Sequence, residues 1–226
     1  MKEILTALER YLLYLQALGV NVVPAKKKIK KFLELELSPP PKSLEDIRRE
    51  LGHCARCKLS RTRTNLVFGE GNEKACLMLV GEAPGRDEDL EGRPFVGRAG
   101  KLLDQMLSAI NLTRAELYIT NVVKCRPPGN RTPEPDEIEA CVPFLAKQIR
   151  VIRPKIICTL GLTAARTILS TEASLTSLRG TVHTIDDIKV IVTFHPAYLL
   201  RFPNYKRQAW EDLKLLKSLY NQVCQP

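Results

Sequence analysis

Two cysteine pairs, far apart in the chain, constrain the fold of these 226 residues more than any other feature. Cys54 and Cys57 stand in His-Cys-Ala-Arg-Cys-Lys, while Cys125 and Cys141 stand in Lys-Cys-Arg-Pro-Pro and Glu-Ala-Cys-Val-Pro. Two intervening residues let both thiolates of the first pair turn back onto one metal centre, as in iron–sulfur and zinc sites. The fifteen residues between Cys125 and Cys141 leave room for a loop and the first turns of a helix. Four thiolates so placed would staple the start of a domain to its middle. The stretch they bracket holds Gly81-Glu82-Ala83-Pro84-Gly85, a turn whose glycines permit close backbone approach to a ligand.

Of the other cysteines, Cys76 and Cys158 lie in apolar surroundings and read as small buried residues, and Cys224 falls in the tail without an assignment. Seven cysteines, an odd number, argue against a disulfide framework and for a reducing, cytoplasmic setting. No apolar run is long enough to cross a membrane, and the N-terminus lacks the core and cleavage site of a signal peptide. The net charge of +10 favours a polyanionic partner, because neutralising phosphates releases counterions. Residues 1–50 carry +3 of it and residues 51–226 carry +7, so the excess is not confined to one arm.

Apolar residues at helical spacing (Ile4, Leu8, Tyr11, Leu15, Leu18) predict an amphipathic helix over 2–18, ended by Gly19. A basic run over 26–31 and Ser38-Pro39-Pro40-Pro41 follow, either a solvated connector or an arm for DNA or a replication or repair partner. From residue 44 the pattern changes to strands alternating with helices. Strands are expected at 76–80, 117–123, 156–160 and 189–194, and helices at 99–110, 135–152, 162–169 and 205–223. That order implies an α/β fold, a three-layer α/β/α sandwich on a mostly parallel sheet, with residues 1–43 as an N-terminal helical extension to a domain over 44–226. Ligands bind such sheets beyond the carboxyl ends of the strands, where Gly81–Gly85, Asn121–Cys125 and His195–Arg201 all fall.

Each of these segments has a bland reading beside the functional one. The Gly81–Gly85 turn lacks the spacing of a dinucleotide fingerprint and the Lys-Ser/Thr of a phosphate loop, so alone it is a structural or a catalytic turn. Asp87, Glu88 and Asp89 read as a solvated acidic loop. Asn121 is a capping asparagine or a carboxamide that reads a planar ligand, and Phe95 is core or a stacking platform. His195 opens a loop, Pro196–Arg201, that sets Leu199 and Leu200 beside Arg201 and Arg207, a pattern that suits a wedge and phosphate clamps.

Taken together and in order, Cys54-x-x-Cys57, Gly81–Gly85, Gly92-Arg93-Pro94-Phe95-Val96-Gly97, Thr120–Pro128, Cys141 and His195–Arg201 resemble the family 4, iron–sulfur uracil-DNA glycosylases, over residues 44–223. The resemblance implies a monomeric DNA-repair enzyme that flips uracil out of DNA and hydrolyses its bond to deoxyribose, leaving an abasic site. It implies that Cys54, Cys57, Cys125 and Cys141 hold a [4Fe–4S] cluster in a structural role, zinc being the competing occupant of four soft ligands. It places Phe95 on the uracil face and Asn121 on its N3–H and O4 edge, with His195 and the backbone of Gly81, Glu82 and Ala83 near the oxygen that gathers charge. Leu199 is the best candidate for insertion into DNA, supported by Leu200 and Arg201. Another branch of the superfamily places an aspartate in the glycine-proline turn where this chain has Ala83, so Glu82 and Glu88 are the candidates for positioning water. The segment Arg126–Pro133 lacks the histidine through which a related branch captures uracil-DNA covalently, so turnover is expected. Two other readings remain: a non-catalytic nucleic-acid-binding module with a four-cysteine metal site, and a glycosylase for another deaminated base such as hypoxanthine.

Overall fold

The computed structural model describes residues 43–224. The expected N-terminal helix, basic run and proline linker lie outside the described residues.

Six strands form one sheet: β1 (Glu70–Gly71), β2 (Leu77–Gly81), β3 (Tyr118–Asn121), β4 (Ile156–Leu160), β5 (Val182–Ile185) and β6 (Ile188–Thr193). Their spatial order is β1-β3-β2-β4-β6-β5. The four central strands run parallel, and β1 and β5 close the edges antiparallel. Every residue of β2 and β4 is buried, which explains why both read in the sequence as unbroken apolar runs. The edge strand β5 alternates between exposed and half-buried residues.

Side chains on a strand alternate between faces, so each strand serves two cores. Leu77 and Leu79 of β2, with Ile119 and Cys158, pack beneath α3 (Arg98–Ala109), α7 (Pro196–Arg201) and α8 (Lys206–Cys224). Met78 and Val80, with Tyr118 and Ile157, pack beneath α1 (Leu44–Leu51), α4 (Pro135–Ile152) and α5 (Leu162–Leu169). The expected three layers are present. Shorter α-helices among the described residues are α2 (Arg86–Glu91), after the Gly81–Gly85 turn, and α6 (Leu175–Leu178), before β5.

Register then assembles the site. Gly81 pairs with Asn121, so β2 and β3 end side by side, and Leu160 pairs with Thr193, so β4 and β6 do the same. Segments far apart in sequence therefore emerge at one edge of the sheet.

The cysteine assignments need one correction. Cys76 and Cys224 form a disulfide, their Cα atoms 5.9 Å apart and 148 residues apart in sequence. Cys76 precedes β2 rather than lying in it, and it is half-buried. The last turn of α8 returns to that end of the sheet: Lys155, whose N–H donates to Cys76 O, also donates from Nζ to Val223 O at 3.1 Å. An odd cysteine count cannot exclude a single bridge. Cys158 is buried as expected.

Candidate active site

The carboxyl ends of the parallel strands open into a cleft of about 980 Å³. Glu82, Ala83, Phe95, Asn121, His195 and Arg201 all line it. Gly81 lies against two of these residues, Asn121 and Phe95. A Cβ there would collide with Asn121 Oδ1 and stand 2.6 Å from Phe95 Cζ, so only glycine lets these two side chains meet the turn.

Asn121 closes β3 and is buried, yet its Oδ1 has no hydrogen-bond partner within the protein. A buried orphan acceptor is costly unless a ligand supplies the donor. The backbone of Asn121 is fixed from behind. Lys124 Nζ donates to Asn121 O at 2.7 Å, to Thr120 Oγ1 at 2.6 Å and to Gln148 Oε1 at 2.7 Å. Burial pushes the Lys124 ammonium down to about 8.

His195 caps α7, its Nδ1 accepting from Ala197 N–H at 3.1 Å. That bond leaves the proton of the neutral ring on Nε2. Burial, aided by Arg201, lowers the imidazole to about 4. The Phe95 and His195 rings lie 5.6 Å apart and 31° from parallel. Phe95 itself has φ of 55°, a left-handed conformation rare for a bulky residue.

The two candidate carboxylates separate in role. Glu82 reaches the cleft and accepts from Thr163 Oγ1 on the first turn of α5. Glu88 borders the cleft but is buried, its Oε2 accepting from Gly85 N–H and its Oε1 from Val96 and Gly97 N–H, each at 3.0 Å. It ties the Gly81–Gly85 turn to the Phe95 segment and has little capacity left to hold a water. Asp89 is buried too, accepting from Thr64 and Asn65 N–H. Two of the three carboxylates are thus internal and only Asp87 is solvated, because two neighbouring segments fold back to donate to Glu88 and Asp89.

The expected wedge also changes. Pro196–Arg201 is a helix, and it turns Leu199 into the core at 1% exposure while Leu200 stands out at 37%. Leu199 packs with α3 and α8 and is not available to DNA in this conformation. Arg201 lies on the cleft wall.

Beyond β3, Pro127 and Gly129–Thr132 form another wall, held by the fork of Arg131 on Glu137 at 2.6 and 2.8 Å. That fork keeps the Glu137 carboxyl below the usual carboxylate range. Cys125 and Cys141 share one buried cluster, against which Cys54 and Cys57 pack. Sulfur acceptors there have donors in place: Arg63 Nη1 to Cys125 at 3.0 Å, Lys124 N–H to Cys141 at 3.3 Å and Arg56 Nη1 to Cys54 at 3.5 Å. Among the described residues, no three His, Cys, Asp or Glu groups stand close enough together to hold a metal ion. The donor set and its N–H partners nevertheless have the chemistry of a thiolate-ligated cluster.

Sequence reasoning missed Lys124, Thr163 and Arg114. The last donates to the carbonyls of Pro94 and Phe95. Lys124 had a signal, a lone lysine in an apolar run, but the other two act through partners that no local pattern marks.

Comparison with known proteins bears on the family. The family model described as "Uracil DNA glycosylase superfamily" matches residues 68–214. A type-4 uracil-DNA glycosylase of Archaeoglobus fulgidus is 46% identical over 185 residues, covering 78% of this chain and 93% of the relative. Those of Sulfurisphaera tokodaii and Thermotoga maritima are 50% and 45% identical, covering 78% and 77% of this chain and 84% and 93% of the relatives.

Proposed function

The chain belongs to the uracil-DNA glycosylase superfamily, and from that membership we propose how it excises uracil from DNA during repair. The observation that carries the residue assignments is the buried, unpartnered Oδ1 of Asn121, facing a cleft that Phe95 and His195 share.

A base inside a duplex is out of reach, so the uridine is extruded, and unstacking costs a few kcal/mol that phosphate and wedge contacts offset. Leu200, exposed and next to Arg201 of the cleft wall, takes the wedge role, with Arg201 on the adjoining phosphate. The flipped ring lies against Phe95. Asn121 Oδ1 accepts the uracil N3–H while its amide donates to O4. Cytosine presents the opposite pattern and leaves the carboxamide unpaired.

As the C1′–N1 bond breaks, its electron pair departs with uracil and negative charge grows on O2. His195 Nε2–H and the N–H groups of the Gly81–Ala83 turn donate there, as in an oxyanion hole. Glu82, steadied by Thr163, orients a water toward C1′ and receives its proton as the oxygen bonds. Cys54, Cys57, Cys125 and Cys141 would hold a [4Fe–4S] cluster, which supplies no electron to a hydrolysis and instead fixes the segments beyond α1 and β3.

Incubation with a uracil-containing oligonucleotide followed by alkali tests this reading, and strand cleavage at the uracil is expected. Binding without cleavage would leave only a nucleic-acid-binding module. Faster release of hypoxanthine than of uracil would overturn the role of Asn121. For the cofactor, iron and acid-labile sulfide in near-equal amounts are expected, and stoichiometric zinc would replace the cluster.

A further inference from the structure

The backbone of Phe95 lies where a bulky side chain stays only when its surroundings compel it. Three groups do so. Arg114 donates from Nη2 to Phe95 O and from Nη1 to Pro94 O at 3.1 Å. Glu88 accepts from the next two N–H groups, those of Val96 and Gly97. Gly100 lies beneath the same carbonyl, where a Cβ would overlap Phe95 O. Arg114 is itself held by two carboxylates, Glu70 on β1 at 3.2 Å and Asp104 on α3 at 2.6 Å. A planar guanidinium can serve two carbonyls and two carboxylates together; an ammonium offers three donors and no fork.

We propose that Arg114 is a positioning residue for uracil excision: its grip on the carbonyls of Pro94 and Phe95 fixes the strained turn that lays the Phe95 ring beside Gly81 and His195. The proposal rests on the reading of Phe95 as the stacking face for uracil. Arg114 is not part of the cleft wall, so it acts through Phe95 and not on the base. With the carbonyls released, Phe95 relaxes toward negative φ and the ring leaves the plane the base needs. Misplacement by about 1 Å is enough to lower a rate by about a hundredfold.

A double-mutant cycle tests this. Single-turnover excision from uracil-containing duplex is measured for Arg114→Met, Arg114→Lys, Phe95→Ala and the pair Phe95→Ala/Arg114→Met, alongside the salt dependence of DNA binding. Arg114→Met is expected to lower the rate by about 30- to 100-fold and Arg114→Lys by about 10-fold. The pair should be no slower than Phe95→Ala alone by more than about twofold, since both changes remove one interaction. The slope of log affinity against log salt should not move, whereas loss of a phosphate contact would reduce it by about one. Losses that multiply in the pair, or a reduced salt slope, would overturn the proposal while leaving Phe95 in its role. A Phe95→Ala variant with full activity would instead overturn the stacking reading and the proposal with it. Glu70→Gln loosens the same guanidinium without removing it; if Arg114→Met does not fold, Glu70→Gln and Arg114→Lys complete the cycle with the same criteria.

Discussion

A ring nitrogen that accepts a hydrogen bond cannot also carry the proton, so one N–H, that of Ala197, decides what His195 can offer. The sequence places a histidine after a strand but is silent on which nitrogen donates, because the deciding partner is backbone. Asn121 and Phe95 were legible as candidates, whereas the orphan oxygen and the positive φ that single them out were not. With its imidazole lowered to about 4, His195 stays neutral through the ordinary working range. Single-turnover excision should therefore show no His195-dependent limb near pH 6.5, and one near 4 that disappears in His195→Gln. That variant's plateau should be about a hundredfold lower. An acid limb centred near 6.5 and abolished by His195→Gln would mean a solvated ring. The stability sign follows from the same shift. Between pH 4 and 6.5 the unfolded chain binds the extra proton, so stability is complete above 6.5 and falls by about 3 kcal/mol toward pH 4. Urea midpoints of the wild type should drop relative to His195→Gln across that window. Asn121→Ala should lower the excision rate by about a hundredfold or more with little change in DNA affinity, and a rate within about threefold of wild type would remove it from uracil recognition.

Elements with a clear burial pattern announced themselves: β4, buried throughout, and α4 and α5, each burying one side, run over the residues that their apolar patterns predicted. Short elements did not. The two residues of β1 are too few for any periodicity, and α7, at six residues, read as a loop. That reading put Leu199 ahead of Leu200 for insertion, but a helix points neighbours about 100° apart, and here it is Leu199 that faces inward. The distinction is measurable. Leu199→Ala removes a side chain from the core beneath α3 and should lower unfolding stability by about 2–5 kcal/mol. Leu200→Ala should leave stability within about 0.5 kcal/mol of wild type yet slow excision from duplex more than from single strands, where no gap needs filling. The reverse outcome, a stability loss at Leu200 and a duplex-specific defect at Leu199, would show that α7 unwinds to bind DNA.

At the scale of the molecule, the disulfide and the proposed cluster cysteines sit at opposite ends of the parallel sheet. Cys125 follows the carboxyl end of β3, near the cleft, while Cys76 precedes β2 and bonds Cys224 in the last turn of α8. Spacing made the first set a candidate but gave no hint of the second, because 148 residues separate the bridged pair and neither flank carries a motif. Closing so long a loop restricts the unfolded chain by about 5 kcal/mol in the entropic account, and natural bridges typically contribute about 2–4 kcal/mol. The folded state loses little when the bond opens, since α8 still buries Leu213, Leu216 and Tyr220 against the sheet. Cys224→Ser, or reduction of the wild type, should thus lower the thermal midpoint by about 4–16 °C for a domain of this size. Excision measured well below both midpoints should stay within about twofold, because Asn121, His195 and Glu82 lie at the other end of the strands. A midpoint unchanged by both treatments would mean that the two thiols are not joined in solution, and a loss of excision without loss of stability would mean that α8 transmits strain through Leu213 and Ala209 to α7 and its histidine cap.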